Sequence, residues 1–293
     1  MDNLYYGYNF IRNSIWELKT KYPFIKVKII GKTVNGRDIF AIEVGRADRP
    51  KALYLGGVKG NDDFSSLILL KFINNYCEAV LKRSELSGIE IVRALSEMGI
   101  AIIPLLNPDG REICRRGFAF AGESAGVLKR ICSGDHESFE ANARGVDIDR
   151  NFDADFEVRR NREIKNRVYR KASRGYSGEY PFSEPESVSL SQYCIQNNFC
   201  RAIGLHVGTG EILWRDELEQ LPVTDKIAKI FAASSGYAIE SEIGDPSEGG
   251  FRRWFSRKFN RPAIDVMIKP PKNHFTDNVY DELEEMLAVA SIL

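Results

Sequence analysis

The chain has 293 residues, of which 43% are hydrophobic and 28% are charged, so it has enough apolar material for one sizeable core. Its 41 Lys and Arg residues balance its 41 Asp and Glu residues, which leaves no net field to attract nucleic acid or an anionic membrane. No stretch approaches the roughly 18 consecutive apolar residues of a transmembrane helix. Composition therefore argues against nucleic-acid and membrane partners.

Two further features concern the cellular compartment. The opening sequence MDNLYYGYNF lacks the cationic and apolar regions of a secretory signal, which favours a cytoplasmic protein. The five cysteines are widely spaced and include no CxxC pair, so we expect reduced thiols, not disulfides or a zinc knuckle.

Helical and strand patterns alternate along the chain. The predicted helices cover 9–20, Phe64–Leu81, Glu184–Gln196, Thr224–Ser234 and Tyr280–Leu293. The predicted strands cover Lys26–Ile30, Asp38–Val44, Lys51–Val58, Gly99–Leu106, Cys200–Val207, Glu211–Trp214 and Ala263–Ile268. Residues 111–180 are polar and irregular, and we expect long surface loops there.

This order of elements predicts the fold class. No linker, charge block or repeat interrupts the alternation, so we expect a single α/β domain that spans residues 1–293. It should contain a mixed, mostly parallel sheet with helices on both faces. The site should then lie at the carboxyl ends of the strands.

Five segments in order carry recognisable motifs. They are GKTVNGRDI at 31–39, the strand ending in NPDG at 104–110, GVDIDRNF at 145–152, PFSEPE at 181–186, and Leu205-His206 followed by GEILW at 210–214. Together they resemble the zinc carboxypeptidase family, also called funnelins or metallocarboxypeptidases. The resemblance is strongest to bacterial members that act on peptidoglycan stem peptides. It implies the fold of that family from about residue 30 to 268.

The resemblance also implies a zinc cofactor held by a His-x-x-Glu pair and a distant His, and here it meets a departure. The pair falls on Lys59 and Asp62, and only His206 matches as a ligand. An ammonium has no lone pair to give a metal, and Asp is one methylene shorter than Glu, so we expect this zinc position to be degenerate. His136 and His274 match no ligand position, and we expect both on the surface.

The general base implied by the family is altered as well. Its Glu falls on Met267, which cannot accept a proton. Asp265 is a possible substitute on the same strand face, although it lies two residues, about 6.6 Å, away. We further expect Lys59 to pair with Asp62 and to replace the metal by a covalently attached charge.

Substrate-binding positions match better. Arg150 matches the family's arginine that binds the terminal carboxylate of the substrate, a task suited to a bidentate donor. Its usual Asn neighbour is Asp149 here, which adds a negative charge, and Arg150 could instead form a structural salt bridge with Asp149 or Asp147. Asp265 aligns with the specificity pocket, where it could favour a basic or diamino-acid side chain or bind no ligand at all.

These residues leave several functions open. The first hypothesis is a carboxypeptidase-like protein without competent zinc hydrolysis, whose cleft binds a peptide or amino-acid-like ligand. The alternative is an active metallocarboxypeptidase that cleaves a C-terminal or gamma-linked peptide bond, with a non-standard metal site built from Asp62, His206 and Asp265. A hydrolase with a covalent nucleophile is disfavoured, since the chain has no GxSxG motif. Whether the protein is an enzyme therefore stays open at this stage.

Overall fold

The computed structural model describes residues 6–168, 170–214, 221–240, 248–270 and 277–293. The α-helices within this part of the chain are α1 Tyr8–Lys21, α2 Asp63–Lys82, α3 Ile91–Glu97, α4 Pro108–Arg116, α5 Ala125–Ile131, α6 Phe156–Lys165, α7 Pro185–Gln196, α8 Pro222–Ser235, α9 Phe251–Phe259 and α10 Asp277–Val289. The strands are β1 Lys26–Lys32, β2 Asp38–Val44, β3 Lys51–Leu55, β4 Glu85–Leu86, β5 Ile89–Glu90, β6 Gly99–Ile103, β7 Phe199–Val207, β8 Glu211–Leu213, β9 Ala238–Glu240 and β10 Ala263–Ile268.

Eight of these strands form one mixed sheet in the order β1-β2-β6-β3-β7-β10-β8-β9. The four central strands β6, β3, β7 and β10 run parallel. β1, β2 and β8 join the sheet by antiparallel pairing. The carboxyl ends of β3, β7 and β10 therefore lie side by side, at the edge where parallel sheets bind their ligands.

Hydrophobic cores cover both faces of the sheet. Along β2, Ile39 and Ala41 join one core, whereas Phe40 and Ile42 join the other, as the two-residue period of a strand requires. The first core includes side chains of α1, α2, α8 and α10, and the second includes side chains of α7 and α9. The expected α/β architecture, with a mostly parallel sheet and helices on both faces, is confirmed.

The polar middle of the chain differs from the expectation of long loops. It contains α4, α5 and α6, together with the 3-10 segments Phe118–Ser124 and Ile148–Arg150. The NPDG motif begins helix α4 and does not form a separate turn. Asn107 caps this helix by accepting a hydrogen bond from the Gly110 nitrogen at 2.8 Å. Asn, Pro and Asp are common both in turns and at the start of helices, so the sequence NPDG fits either structure.

None of the helices in the described part of the chain combines the length and the hydropathy that a membrane crossing requires. The domain limits of 1–293 stay a prediction.

Candidate functional site

The sheet brings the sequence-predicted residues of three strands to one edge. Lys59 and Asp62 lie in the turn between β3 and α2, while His206 lies near the end of β7. Asp265 and Met267 lie on β10, where Met267 is paired in register with His206. These five side chains come from three segments that lie far apart in the sequence, and the parallel order of β3, β7 and β10 places them together.

Both carboxylate oxygens of Asp62 accept hydrogen bonds from backbone nitrogens. Asp62 is 1% exposed and caps α2, because its Oδ1 accepts a hydrogen bond from the Ser65 nitrogen at 3.0 Å. Its Oδ2 accepts another from the Val207 nitrogen at 3.2 Å, which ties the helix start to β7. Burial raises the pKa of Asp62 although the Ser65 hydrogen bond and the His206 charge lower it. Asp62 therefore has a structural task that needs no metal.

Lys59 forms an ion pair with a residue that the sequence did not single out. Its Nζ lies 3.0 Å from the Glu140 Oε2, so the expected pairing with Asp62 is wrong. Asp62 turns toward its two backbone donors, whereas the Gly60 nitrogen binds the Glu140 carbonyl at 2.9 Å and fixes that segment beside Lys59. Burial lowers the pKa of the Lys59 ammonium, but the charges of Asp147, Glu140 and Asp149 outweigh it and raise the pKa above its ordinary value. The ammonium is thus held protonated.

His206 and Asp265 form a second charged pair. The His206 Nε2 lies 3.4 Å from the Asp265 Oδ1, and the Arg252 Nε donates to the Asp265 Oδ2 at 3.0 Å. Burial lowers the pKa of His206, but the hydrogen bond to Asp265 and the charge of Asp149 raise it to about 9. The pKa of Asp265 is lowered because His206 and Arg252 outweigh its burial. Both oxygens of Asp265 are therefore engaged by cationic partners.

Two glycines make this arrangement possible. A Cβ on Gly204 would collide with the Asp265 carboxylate and lie 3.0 Å from the His206 Nε2. A Cβ on Gly208 would lie 2.6 Å from the Met267 Cβ. Met267 thus packs against bare backbone, and its thioether offers no group for proton transfer at the base position.

Asp149 and Arg150 lie in a single 3-10 turn, Ile148–Arg150, beside the charged pairs. The turn is fixed because the Arg150 nitrogen donates to the Asp147 carbonyl at 3.0 Å and the Asp147 nitrogen donates to the Tyr176 carbonyl at 2.7 Å. Arg150 is 9% exposed. Burial raises the pKa of Asp149, against the charges of His206 and Arg150 that lower it.

A network of buried polar side chains supports this turn from behind. The Asn151 Nδ2 donates to the Ser177 carbonyl at 2.7 Å and to the Ser183 Oγ at 2.9 Å, while its Oδ1 accepts from the Glu184 nitrogen and the Ser187 hydroxyl. The motifs around Asn151 and Glu184 thereby hold each other in place.

A second amide extends the network to two acids of the PFSEPE motif. The Asn142 Nδ2 donates to the Glu184 Oε2 at 2.7 Å and to the Glu186 Oε2 at 3.1 Å. Glu186 is 0% exposed, and burial raises its pKa to about 8. Glu186 therefore retains its proton at neutral pH.

The other described histidine, His136, contacts a different segment of the chain. The His136 Nδ1 lies 2.8 Å from the Cys114 carbonyl oxygen, and the imidazole packs edge-on against Phe118. His136 is half-buried there, so the expected surface position is only partly right. His274 lies outside the described residues.

Comparison with known proteins decides the family. The sequence profile of the zinc carboxypeptidase family, peptidase M14, matches residues 11–283. The chain belongs to the zinc carboxypeptidase family. Its motifs had indicated this membership, and the match confirms it.

Two bacterial relatives align along most of this zinc carboxypeptidase family member. Gamma-D-glutamyl-L-diamino acid endopeptidase 1 of Lysinibacillus sphaericus is 24% identical over 97% of the chain and 71% of the relative. The uncharacterised protein YqgT of Bacillus subtilis is 24% identical over 90% of the chain and 70% of the relative.

Solved structures agree on the fold. Thrombin-activatable fibrinolysis inhibitor is similar with a TM-score of 0.73 and 16% identity, over 99% of this chain and 75% of that one. The murein-tripeptide amidase MpaA of Escherichia coli O157 is similar with a TM-score of 0.51 and 18% identity, over 91% and 89% of the two chains. The solved structures confirm the carboxypeptidase fold that the resemblance implied, and the bacterial relatives agree with the expected likeness to bacterial members.

Proposed function

We propose that this zinc carboxypeptidase family member binds a peptide or amino-acid-like ligand in its cleft without competent zinc hydrolysis. The observation that carries the proposal is the ion pair between Lys59 and Glu140, which stands where the family resemblance implies a zinc ligand. A protonated lysine offers three donors and no acceptor, so it repels a divalent cation at that point.

The Asp62 position supports the same conclusion. A catalytic zinc needs three protein ligands with lone pairs directed at one point and an open fourth position. Here Asp62 accepts backbone hydrogen bonds at both oxygens and Lys59 offers no lone pair, so among the three ligand positions only His206 keeps a nitrogen for a metal, its Nδ1. The residues at the ligand positions therefore do not fit a three-ligand zinc centre.

The alternative of an active metallocarboxypeptidase needs Asp62, His206 and Asp265 to share a metal. That arrangement would have to break the Asp265 contacts with His206 and Arg252, both of which stabilise the carboxylate as an anion. Met267 would still leave the general base unfilled. We therefore prefer the binding function.

The ligand class follows from the relatives. One relative is named for a bond between gamma-D-glutamate and an L-diamino acid, and a structural neighbour is named for a murein tripeptide. We propose that the ligand is a peptide of this type, from peptidoglycan. The cytoplasmic location and the absence of nucleic-acid and membrane partners stay predictions.

Zinc content tests the proposal. Protein purified without added metal and then incubated with equimolar zinc should hold far less than one zinc per chain after desalting, as measured by elemental analysis. The variants H206A and H136A serve as a matched pair, because only His206 lies at a ligand position. Stoichiometric zinc that is lost in H206A and kept in H136A would overturn the proposal.

Ligand binding tests its other half. A gamma-D-glutamyl diamino-acid dipeptide should bind the wild-type chain in an NMR titration and remain uncleaved, with shifts confined to residues around Lys59 and Arg150. Cleavage of the dipeptide, or shifts confined to a distant surface, would contradict the proposal.

A further inference from the structure

We propose that Asp149 selects ligands that carry an ammonium group, so that the cleft favours an amine where a carboxypeptidase would receive a free carboxylate. This inference rests on the proposed function and assigns its ligand a chemical class. It also moves the expected specificity residue from Asp265 to Asp149.

Asp265 is the less suitable partner for a ligand cation. Its two oxygens already face the His206 Nε2 at 3.4 Å and the Arg252 Nε at 3.0 Å. A ligand amine would have to displace one of these cationic partners. Both partners belong to buried residues, and separating either from the Asp265 carboxylate would be costly.

Asp149 is engaged differently from the carboxylates around it. Five carboxylates act electrostatically on Lys59 or His206: Asp62, Glu140, Asp147, Asp149 and Asp265. Asp62 and Asp147 accept hydrogen bonds from backbone nitrogens, and Glu140 and Asp265 lie in ion pairs. Within the described ranges, the Asp149 side chain accepts no hydrogen bond and has no basic nitrogen within 4 Å.

The placement of Asp149 is rigid and reachable. It lies in the 3-10 turn Ile148–Arg150, which the Asp147 and Tyr176 backbones hold, and it is half-buried. A half-buried carboxylate with no partner of its own gains most from a cation that arrives with the ligand. The same carboxylate repels an incoming carboxylate, which would otherwise be attracted by Arg150.

Three matched probes test this charge preference by NMR titration at pH 7. N-acetyl-L-lysinamide carries one ammonium, N-acetyl-L-norleucinamide is its neutral counterpart, and N-acetyl-L-norleucine carries a carboxylate. In the wild-type chain we expect the lysine probe to bind about tenfold more tightly than the neutral one, and the carboxylate probe to bind most weakly.

Variants assign the preference to a residue. D149N should bind the lysine and neutral probes equally and should gain affinity for the carboxylate probe, whereas D149E should keep the wild-type order. D153N, which neutralises an exposed carboxylate four residues away, should also keep it. A thermal melt of each variant verifies that it is folded.

The outcomes separate the two proposals. An unchanged preference in D149N would overturn the role of Asp149, while binding of the probes at the cleft would still support the proposed function. Loss of the preference in D153N as well as D149N would also overturn it, since the effect would then be one of general charge. If none of the probes bound the wild-type chain, the ligand class assigned here would be wrong, and the gamma-glutamyl dipeptide titration would decide the proposed function by itself.

Discussion

The cleft floor, by which we mean the pair of Lys59 and Glu140, differs in kind from the polar network of Asn142 and Asn151 behind it. Behind the turn of Arg150, the amides of Asn142 and Asn151 bridge backbone and carboxylate groups of two motifs, GVDIDRNF and PFSEPE. On the floor, Lys59 and Glu140 form a pair that the motifs do not predict. The network supports the backbone around Arg150, whereas the floor supplies charged side chains. The network can therefore be retained while the residues of the floor change.

The largest expected effect of a substitution lies in the network. N151A removes a side-chain amide that makes hydrogen bonds to five residues and leaves several buried groups without partners. We expect a loss of about 4 kcal/mol in the free energy of unfolding. Guanidinium denaturation measures it.

The matched control for this prediction is N161A, on the exposed side of α6, which should cost less than about 0.5 kcal/mol. Equal losses in the two variants would show that the network contributes little to stability, and the contrast between network and floor would fail.

A smaller effect, dependent on pH, is expected at Glu186. Its folded pKa of about 8 lies above the ordinary value of 4.5, so between these values the folded chain keeps a proton that the unfolded chain has lost. The stability contributed by this proton is complete below the unfolded pKa and is lost as pH rises through the folded pKa. E186Q cannot titrate, so its stability relative to wild type should rise by about 1 kcal/mol per pH unit from pH 5 to 8.

Denaturation curves at a series of pH values measure this difference. E179Q, an exposed change in the segment before the same motif, should run parallel to wild type over the whole range. A flat difference between E186Q and wild type would mean that Glu186 is ionised in the folded protein.

The smallest of the three effects is expected on the floor. K59M leaves Glu140 without its cation, and we expect a loss of about 1 to 2 kcal/mol in the free energy of unfolding. The double variant K59M/E140Q should recover most of this loss, because it removes the unpaired charge. Urea denaturation of the wild type, both single variants and the double variant gives the coupling energy.

Additive effects of K59M and E140Q would contradict a direct pair. K229M breaks the exposed pair of Lys229 with Asp225 on α8 and serves as the control, with an expected change near zero.

Most of the fold was accessible from the sequence. The central strands have strong apolar patterns, and β2 and β10 were predicted at their observed bounds because each alternates or runs apolar without a break. The region of residues 111–180 was harder, because α5 and α6 are short and polar and their stability comes from contacts such as Glu163 with Arg159 and Arg160.

The candidate site was accessible only in part. The motifs located Lys59, Asp62 and His206, but the partner of Lys59 could not be inferred, since Glu140 lies outside any regular element. The one available signal was position, because Glu140 lies a few residues before the motif GVDIDRNF. The pairing of Asp62 with the backbone was also foreseeable, because an Asp that precedes a helix commonly caps it.

Under the proposed function, the Lys59–Glu140 pair also opposes any single substitution that would create a metal site. Replacing Lys59 alone leaves the Glu140 carboxylate without its cation, and replacing Glu140 alone leaves the Lys59 ammonium without its anion. Each single substitution toward a set of metal ligands is therefore expected to lower the stability of the chain. Asp62 meanwhile caps α2 and connects the start of this helix to β7. Under the proposed function, we expect that zinc binding at this position would require Lys59 and Glu140 to be replaced together.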